Sequence, residues 1–228
     1  MRRVMPIAVL VAALLAGCGG GSSSTSAPAT SEKPVSTTAT GGKAFQPSGG
    51  DYELTIPSGW TALDRAKVAD LIRSGSTTDF TQEEIQRFAS LIAKPGSMFA
   101  LDDTEAGRQS RRDTSFATNV LLVRSPTTYT GSDDSLRAEA ASQIEQQVSS
   151  TSAATSRARR QDGAMLGSQP ATTLEYDLKV NGTPVTEVDY VTARDGVLYQ
   201  FSCTAPQDRY ADVRRVCDEV AASFRFTG

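Results

Sequence analysis

Leu174-Glu175-Tyr176-Asp177-Leu178-Lys179-Val180-Asn181-Gly182 alternates apolar with charged side chains and then stops at a turn pair. A period of two places the apolar residues on one face of a strand. Asn-Gly is a strong hairpin signal. The chain from Thr183 to Ala205 supplies two further strands, parted at Asp195-Gly196, a preferred type I′ pair. A two-residue loop there sets Thr192 against Tyr199, Tyr190 against Phe201 and Val188 against Cys203. At Asn181-Gly182 two registers compete. A two-residue turn would put Tyr176 opposite Glu187 and Leu174 opposite Asp189, mixing apolar and acidic residues on one face. Counting Thr183 into a three-residue loop pairs Leu178 with Thr186, Tyr176 with Val188 and Leu174 with Tyr190. Because a slip of one residue moves every side chain to the other face, the apolar match predicts the three-residue loop. The expected product is an antiparallel meander with one apolar side that needs cover.

The cover follows Pro206. Tyr210, Val213, Cys217, Val220, Ala221 and Phe224 recur at helical spacing, with Arg214, Arg215, Asp218 and Glu219 on the opposite side. Cys203 lies on the apolar face of the last strand and Cys217 on the apolar stripe of this helix, so both thiols point at one interface. A Cys203–Cys217 disulfide is expected, closing a loop of about 15 residues; two buried free thiols are the alternative.

Upstream, Tyr52 to Ile56 reads as a strand ended by Pro57, with Gly59-Trp60 as a turn carrying the only tryptophan. Leu63 to Ile72 reads as a helix. Thr81-Gln82-Glu83-Glu84 is a capping-box pattern opening a second helix, with Ile85, Phe88, Ala89 and Ile92 on one side. Strands are expected at Ser97–Leu101, Ala117–Arg124 and Ala158–Leu166, and a helix at Asp133–Val148.

The other end of the chain carries an address. Arg2 and Arg3, an apolar run from Ile7 to Leu15, and Leu15-Ala16-Gly17-Cys18 have the layout of a secretory signal with a lipobox. The apolar run is about half of the roughly 20 residues that cross a bilayer. The expectation is a signal peptide over residues 1–17 and a diacylglyceryl group on Cys18, holding the chain on the outer, extracytoplasmic face of the cell membrane. Residues 18–50, rich in Ser, Thr, Gly and Pro, read as a tether that cannot bury enough apolar surface to order itself. Thr37, Thr38 and Thr40 are candidate positions for O-linked sugars. Residues 51–228 are expected to form one domain.

A Tyr-x-Leu-x-Ile-Pro-x-Gly-Trp opening at Tyr52, a buried strand before a long helix, the meander through Gln169-Pro170-Ala171, and a terminal Ser223-Phe224-Arg225-Phe226 together resemble the PsbP-like fold. The resemblance covers roughly Asp51 to Phe226. It includes actinobacterial lipoproteins of the LpqN type and implies an α/β/α sandwich, an α+β fold with the sheet covered by helices. It also implies an accessory or binding role, and it transfers no catalytic residue. The helical pair of residues 63–93 departs from the pattern.

Chemistry is sparse. The 228 residues contain no histidine, which removes the commonest general base and metal ligand and every Ser-His-Asp or Cys-His device. Lys43, Lys67, Lys94 and Lys179 show no Ser-x-x-Lys pattern. Asp133-Asp134 reads as charge at a helix N-terminus, and Asp102-Asp103 with Glu105 as a solvated turn rather than a weak cation site. Asn181-Gly182-Thr183 matches a glycosylation triplet, but turn formation already accounts for it. The net charge of −3 gives no footprint for nucleic acid; the clusters Arg108, Arg111, Arg112 and Arg157, Arg159, Arg160 read as solvated faces. No cofactor, metal or catalytic residue is expected, and the chain is expected to be monomeric. The leading expectation is a membrane-anchored, non-enzymatic module for a protein or envelope partner. The second is a carrier of a small apolar ligand in a pocket lined by Leu71, Ile85, Phe88 and Ile92. The third, a hydrolase, needs two carboxyl groups that converge in a cleft.

Overall fold

The computed structural model describes residues 41–74, 86, 89, 90, 92–114 and 116–228. In chain order these form β1 (Lys43–Phe45), β2 (Tyr52–Ile56), β3 (Trp60–Asp64), α1 (Arg65–Ser74), β4 (Met98–Asp102), α2 (Glu105–Thr114), β5 (Asn119–Pro126) and α3 (Asp133–Ser150). They continue as β6 (Arg159–Leu166), β7 (Gln169–Val180), β8 (Thr183–Arg194), β9 (Val197–Pro206), α4 (Tyr210–Ala222) and β10 (Arg225–Phe226). Seven strands make an antiparallel sheet in the order β3-β4-β5-β9-β8-β7-β6, and β1-β2-β10 form a small second sheet.

The β8–β9 hairpin has the register that its Asp-Gly turn predicts: Thr192 faces Tyr199, Tyr190 faces Phe201 and Val188 faces Cys203. Asp195 and Gly196 both take positive φ, as a type I′ turn requires. The β7–β8 hairpin corrects the expectation. Val180 pairs with Thr183, Leu178 with Val185, Tyr176 with Glu187 and Leu174 with Asp189, so the turn is the two-residue Asn181-Gly182, again with both φ positive. The expected partners Thr186, Val188 and Tyr190 therefore lie on the opposite face. The physical reason is that the sheet is covered on both sides, so either register would bury apolar side chains. Turn geometry then decides.

On one face, Leu174, Tyr176, Leu178, Val185 and Val191 pack with Leu136, Ala140, Ile144 and Val148 of α3. On the other, Val188, Tyr190, Phe201 and Cys203 pack with Val213, Cys217, Val220 and Phe224 from α4 and its end. The small sheet joins this second core through Tyr52, Leu54 and Ile56. The result is an α/β/α sandwich, with the predicted covering helix in place and a second helix covering the face expected to be polar.

The opening and closing motifs meet. Ser223 Oγ accepts the Thr55 amide at 2.8 Å, and the Phe224 ring stacks on Tyr52 with centroids 5.2 Å apart. Three boundaries shift. Leu63 belongs to β3 and not to the first helix, which starts at Arg65. Trp60 opens β3 rather than closing a turn. Lys43–Phe45 pairs with β2, so a strand lies within the segment expected to be tether. Most of the second expected helix, residues 81–93, lies outside the described residues, as do Cys18, the expected signal peptide and the expected tether through Thr40.

Candidate functional site

The observed β7–β8 register carries a consequence for chemistry. Glu187 and Asp189, two apart on β8, point to the α3 side of the sheet and are both 0 % exposed. Between them stands the Tyr176 hydroxyl, 2.9 Å from Glu187 Oε1 and 2.8 Å from Asp189 Oδ2. The neighbouring strand β9 supplies the remaining partners: Thr204 Oγ1 donates to Glu187 Oε2 at 3.2 Å, while Ser202 Oγ and Gln200 Nε2 donate to Asp189 Oδ1. Those residues are the cross-strand neighbours of the acids in the register, Thr204 of Glu187 and Ser202 of Asp189.

One tyrosine proton cannot serve two carboxylates, so one acid keeps its own proton. Burial, reinforced by the negative charge of Asp189, pushes Glu187 up to about 8, against the lowering effect of the hydrogen bonds from Tyr176 and Thr204. Burial also raises Asp189, opposed by the hydrogen bonds from Ser202, Tyr176 and Gln200. With Glu187 keeping its proton at neutral pH, its hydroxyl can donate to the Tyr176 oxygen while Tyr176 donates to Asp189 Oδ2. Sequence reasoning assigned these acids to a solvent-facing side. The available signal was β9, which from Val197 to Pro206 carries no charge on either face and so needs cover on both.

The acids singled out from the sequence are used locally. Asp102 Oδ1 accepts from the Thr104 amide and hydroxyl at 3.1 and 2.6 Å, and Oδ2 faces Arg209 at 3.3 Å. Its carboxylate closes the turn into α2. Ser132 caps α3 through the Ser135 amide, and Asp133 accepts the Asp195 and Gly196 amides at 3.0 and 3.1 Å, tying the helix start to the β8–β9 turn. Arg159 pairs with Glu175 and Arg160 with Asp162, so part of the second arginine cluster is matched by acids. Asp51 accepts from Arg124 and from the Tyr199 hydroxyl, at 2.9 and 2.8 Å.

Of the four residues assigned to a pocket, Ile85, Phe88 and the Leu71 side chain lie outside the described residues. Ile92 is fully buried and packs with Leu63, Val68, Phe99, Leu101, Leu121 and Val123. Those described neighbours form one apolar cluster from β3, α1, β4 and β5. The disulfide joins Cys203 of β9 to Cys217 of α4, Cα atoms 6.1 Å apart, as the two periodicities predict.

An open groove of about 360 Å³ lies elsewhere, between the small sheet and β3. Phe45, Ile56, Trp60 and Ala62 line it together with Lys43 and Lys67. Lys67 Nζ sits 4.5 Å from the Phe45 ring centroid and donates to the Ala62 carbonyl at 3.1 Å. Among the described residues, no helix is long and apolar enough to cross a membrane.

The PsbP protein-family model matches residues 40–226. Among solved structures, the cyanobacterial PsbP of Synechocystis sp. PCC 6803 is 19% identical with a TM-score of 0.44, the match covering 86% of this chain and 98% of that one. LpqN of Mycobacterium tuberculosis, described as involved in cell envelope biogenesis, is 12% identical with a TM-score of 0.48, over 82% of this chain and 86% of that one. A protein from Bacteroides thetaiotaomicron VPI-5482 is 14% identical with a TM-score of 0.44, over 81% of this chain and 48% of that one, so the match spans about half its length. No curated protein matches the chain.

Proposed function

The chain belongs to the PsbP family, and from that premise we propose that it is a non-enzymatic binding module. It is held at the outer face of the cell membrane by a diacylglyceryl group on Cys18, and the segment after Cys18 lets the domain reach a protein or cell-envelope partner. The observation that carries this reading is the closure of the acidic pair. Glu187 and Asp189 do converge, as acid catalysis by carboxyl groups requires, but both are 0 % exposed and their oxygens are taken up by Tyr176, Gln200, Ser202 and Thr204. A carboxyl group that no substrate can approach is a structural group. With no histidine in the chain, the commonest alternative base is absent too.

Crosslinking in intact cells followed by affinity capture of the anchored protein tests the reading, with a tether-only form as control. A specific protein or envelope component recovered with the full chain and not with the control is the expected result. Recovery of nothing beyond the control would overturn it.

A further inference from the structure

We infer that the groove beside Trp60 is the face on which the domain sits on its own membrane, with the phosphate of an anionic phospholipid headgroup held between Lys43 and Lys67. This rests on the proposed anchoring at Cys18. Three observations argue for a lipid occupant.

The first is charge. Two lysines line the groove, and none of its lining residues is acidic. Lys43 is exposed and has no carboxylate partner among the described residues. Lys67 spends one donor on the Ala62 carbonyl; an ammonium has three, so two stay available. Asp64, three residues before Lys67 at the end of β3, accepts from the Ser48 and Lys67 amides at 2.8 and 2.9 Å, and Asp70, three residues after it, pairs with Arg73 at 2.7 Å. A positive lining in a chain of net charge −3 is a local feature, suited to a negative surface.

The second is the floor. Phe45 and Trp60 are half-buried and line the groove together with the two lysines, Lys67 Nζ lying over the Phe45 ring. Tryptophan and lysine are the side chains that settle at the headgroup level of a bilayer, the ring in the interface and the ammonium at the phosphate.

The third is position. Gly41 lines the groove, and the chain from Cys18 joins the fold there. About 22 residues separate the two points. A lipid group on Cys18 would thus join the domain at a residue that lines the groove and would hold the groove near the membrane at raised effective concentration. A contact that would be weak for a free protein is then occupied.

Trp60 is the only tryptophan, so its fluorescence reads the groove directly. The test uses the mature chain carrying Cys18→Ala, with vesicles of phosphatidylcholine alone or of equal parts phosphatidylcholine and phosphatidylglycerol, and with inorganic phosphate as a separate titrant. The anionic vesicles should shift the emission to the blue and co-sediment the protein, and added salt should reverse both. Lys43→Ala with Lys67→Ala, at two exposed positions, should weaken binding roughly twenty-fivefold, at about fivefold per lysine, with the native circular dichroism spectrum and a cooperative unfolding transition retained. Equal response to both vesicle types, full binding by the double variant, or the same shift with inorganic phosphate alone would each overturn the assignment. The mass of Cys18 in the membrane-extracted wild-type protein reports the anchor separately. An unmodified Cys18 alongside anionic-vesicle binding would sink the anchoring reading and leave the groove's preference standing.

Discussion

Glu187→Gln is the perturbation that interrogates the buried chain most sharply. Glutamine keeps the shape and offers Nε2 to the Tyr176 oxygen and Oε1 to Thr204, reproducing the hydrogen bonds of the protonated acid without its ability to ionise. The wild-type group has an ordinary value of 4.5 and stands at about 8 in the folded protein. A carboxyl raised on folding gives stability that is complete below 4.5 and is lost as pH rises through about 8. Each pH unit in that window costs about 1.4 kcal/mol, so the wild type should lose about 3 kcal/mol between pH 4.5 and 7 and about 5 kcal/mol by pH 8 and above. Set against a typical folding stability of roughly 5–15 kcal/mol, that loss moves a denaturation midpoint visibly. Urea unfolding at intervals from pH 5 to 9 is the assay. The wild-type midpoint should fall steadily, and the Glu187→Gln midpoint should fall less steeply, since only Asp189 remains to ionise, and should exceed the wild type's at pH 8. A wild-type midpoint constant over this range, or an equal slope in the variant, would refute the buried-proton assignment.

Three further outcomes follow from particular contacts. Replacing both Cys203 and Cys217 by alanine should lower stability by about 3 kcal/mol through the freed loop of 14 residues' separation, read by thermal unfolding against the oxidised wild type. Gly167→Ala should cost of the order of 3 kcal/mol or more, because Gly167 has φ +58 and an added Cβ would overlap the Phe224 carbonyl; soluble yield and melting temperature check it. For Asp51, burial acts to raise its value, but hydrogen bonds from Arg124 and Tyr199 outweigh it and hold the carboxyl below 3.8. Stability from that pair is therefore present above pH 3.8 and lost as the pH falls through the lowered value. The deficit of Arg124→Ala at pH 7 should shrink below pH 3.8, as followed by acid titration of the circular dichroism signal.

The fold was legible wherever periodicity and punctuation agreed. The β8–β9 hairpin, α3, α4 and the disulfide each rest on a turn pair or an apolar stripe visible in the residues. The β7–β8 register was misread because the apolar-opposite-apolar rule presumes one dry face. Here α3 dries the second face, and Tyr176, Ser202 and Thr204 satisfy acids that the rule would send to solvent. α2 carried no signal because it buries only Gly107 and Ser110, which no hydrophobic pattern marks. The end of β3, Leu63-Asp64, reads as helix because Leu63-Asp64-Arg65 passes from strand to helix without a glycine or proline between them. The groove was invisible for a different reason. Lys43, Phe45, Trp60 and Lys67 come together only through the pairing of β1 with β2 and the packing of that small sheet beside β3, and β1 is too short to announce itself.

The measurement that bears most directly on an anchored, non-catalytic module is complementation of a deletion strain by three forms of the chain expressed at equal levels: wild type, Glu187→Gln with Asp189→Asn, and Cys18→Ala. Removing both buried carboxylates should leave complementation at the wild-type level, and removing the lipidation site should abolish it although the domain stays folded. Loss of complementation by the amide variant in its folded state, with full complementation by Cys18→Ala, would contradict the account.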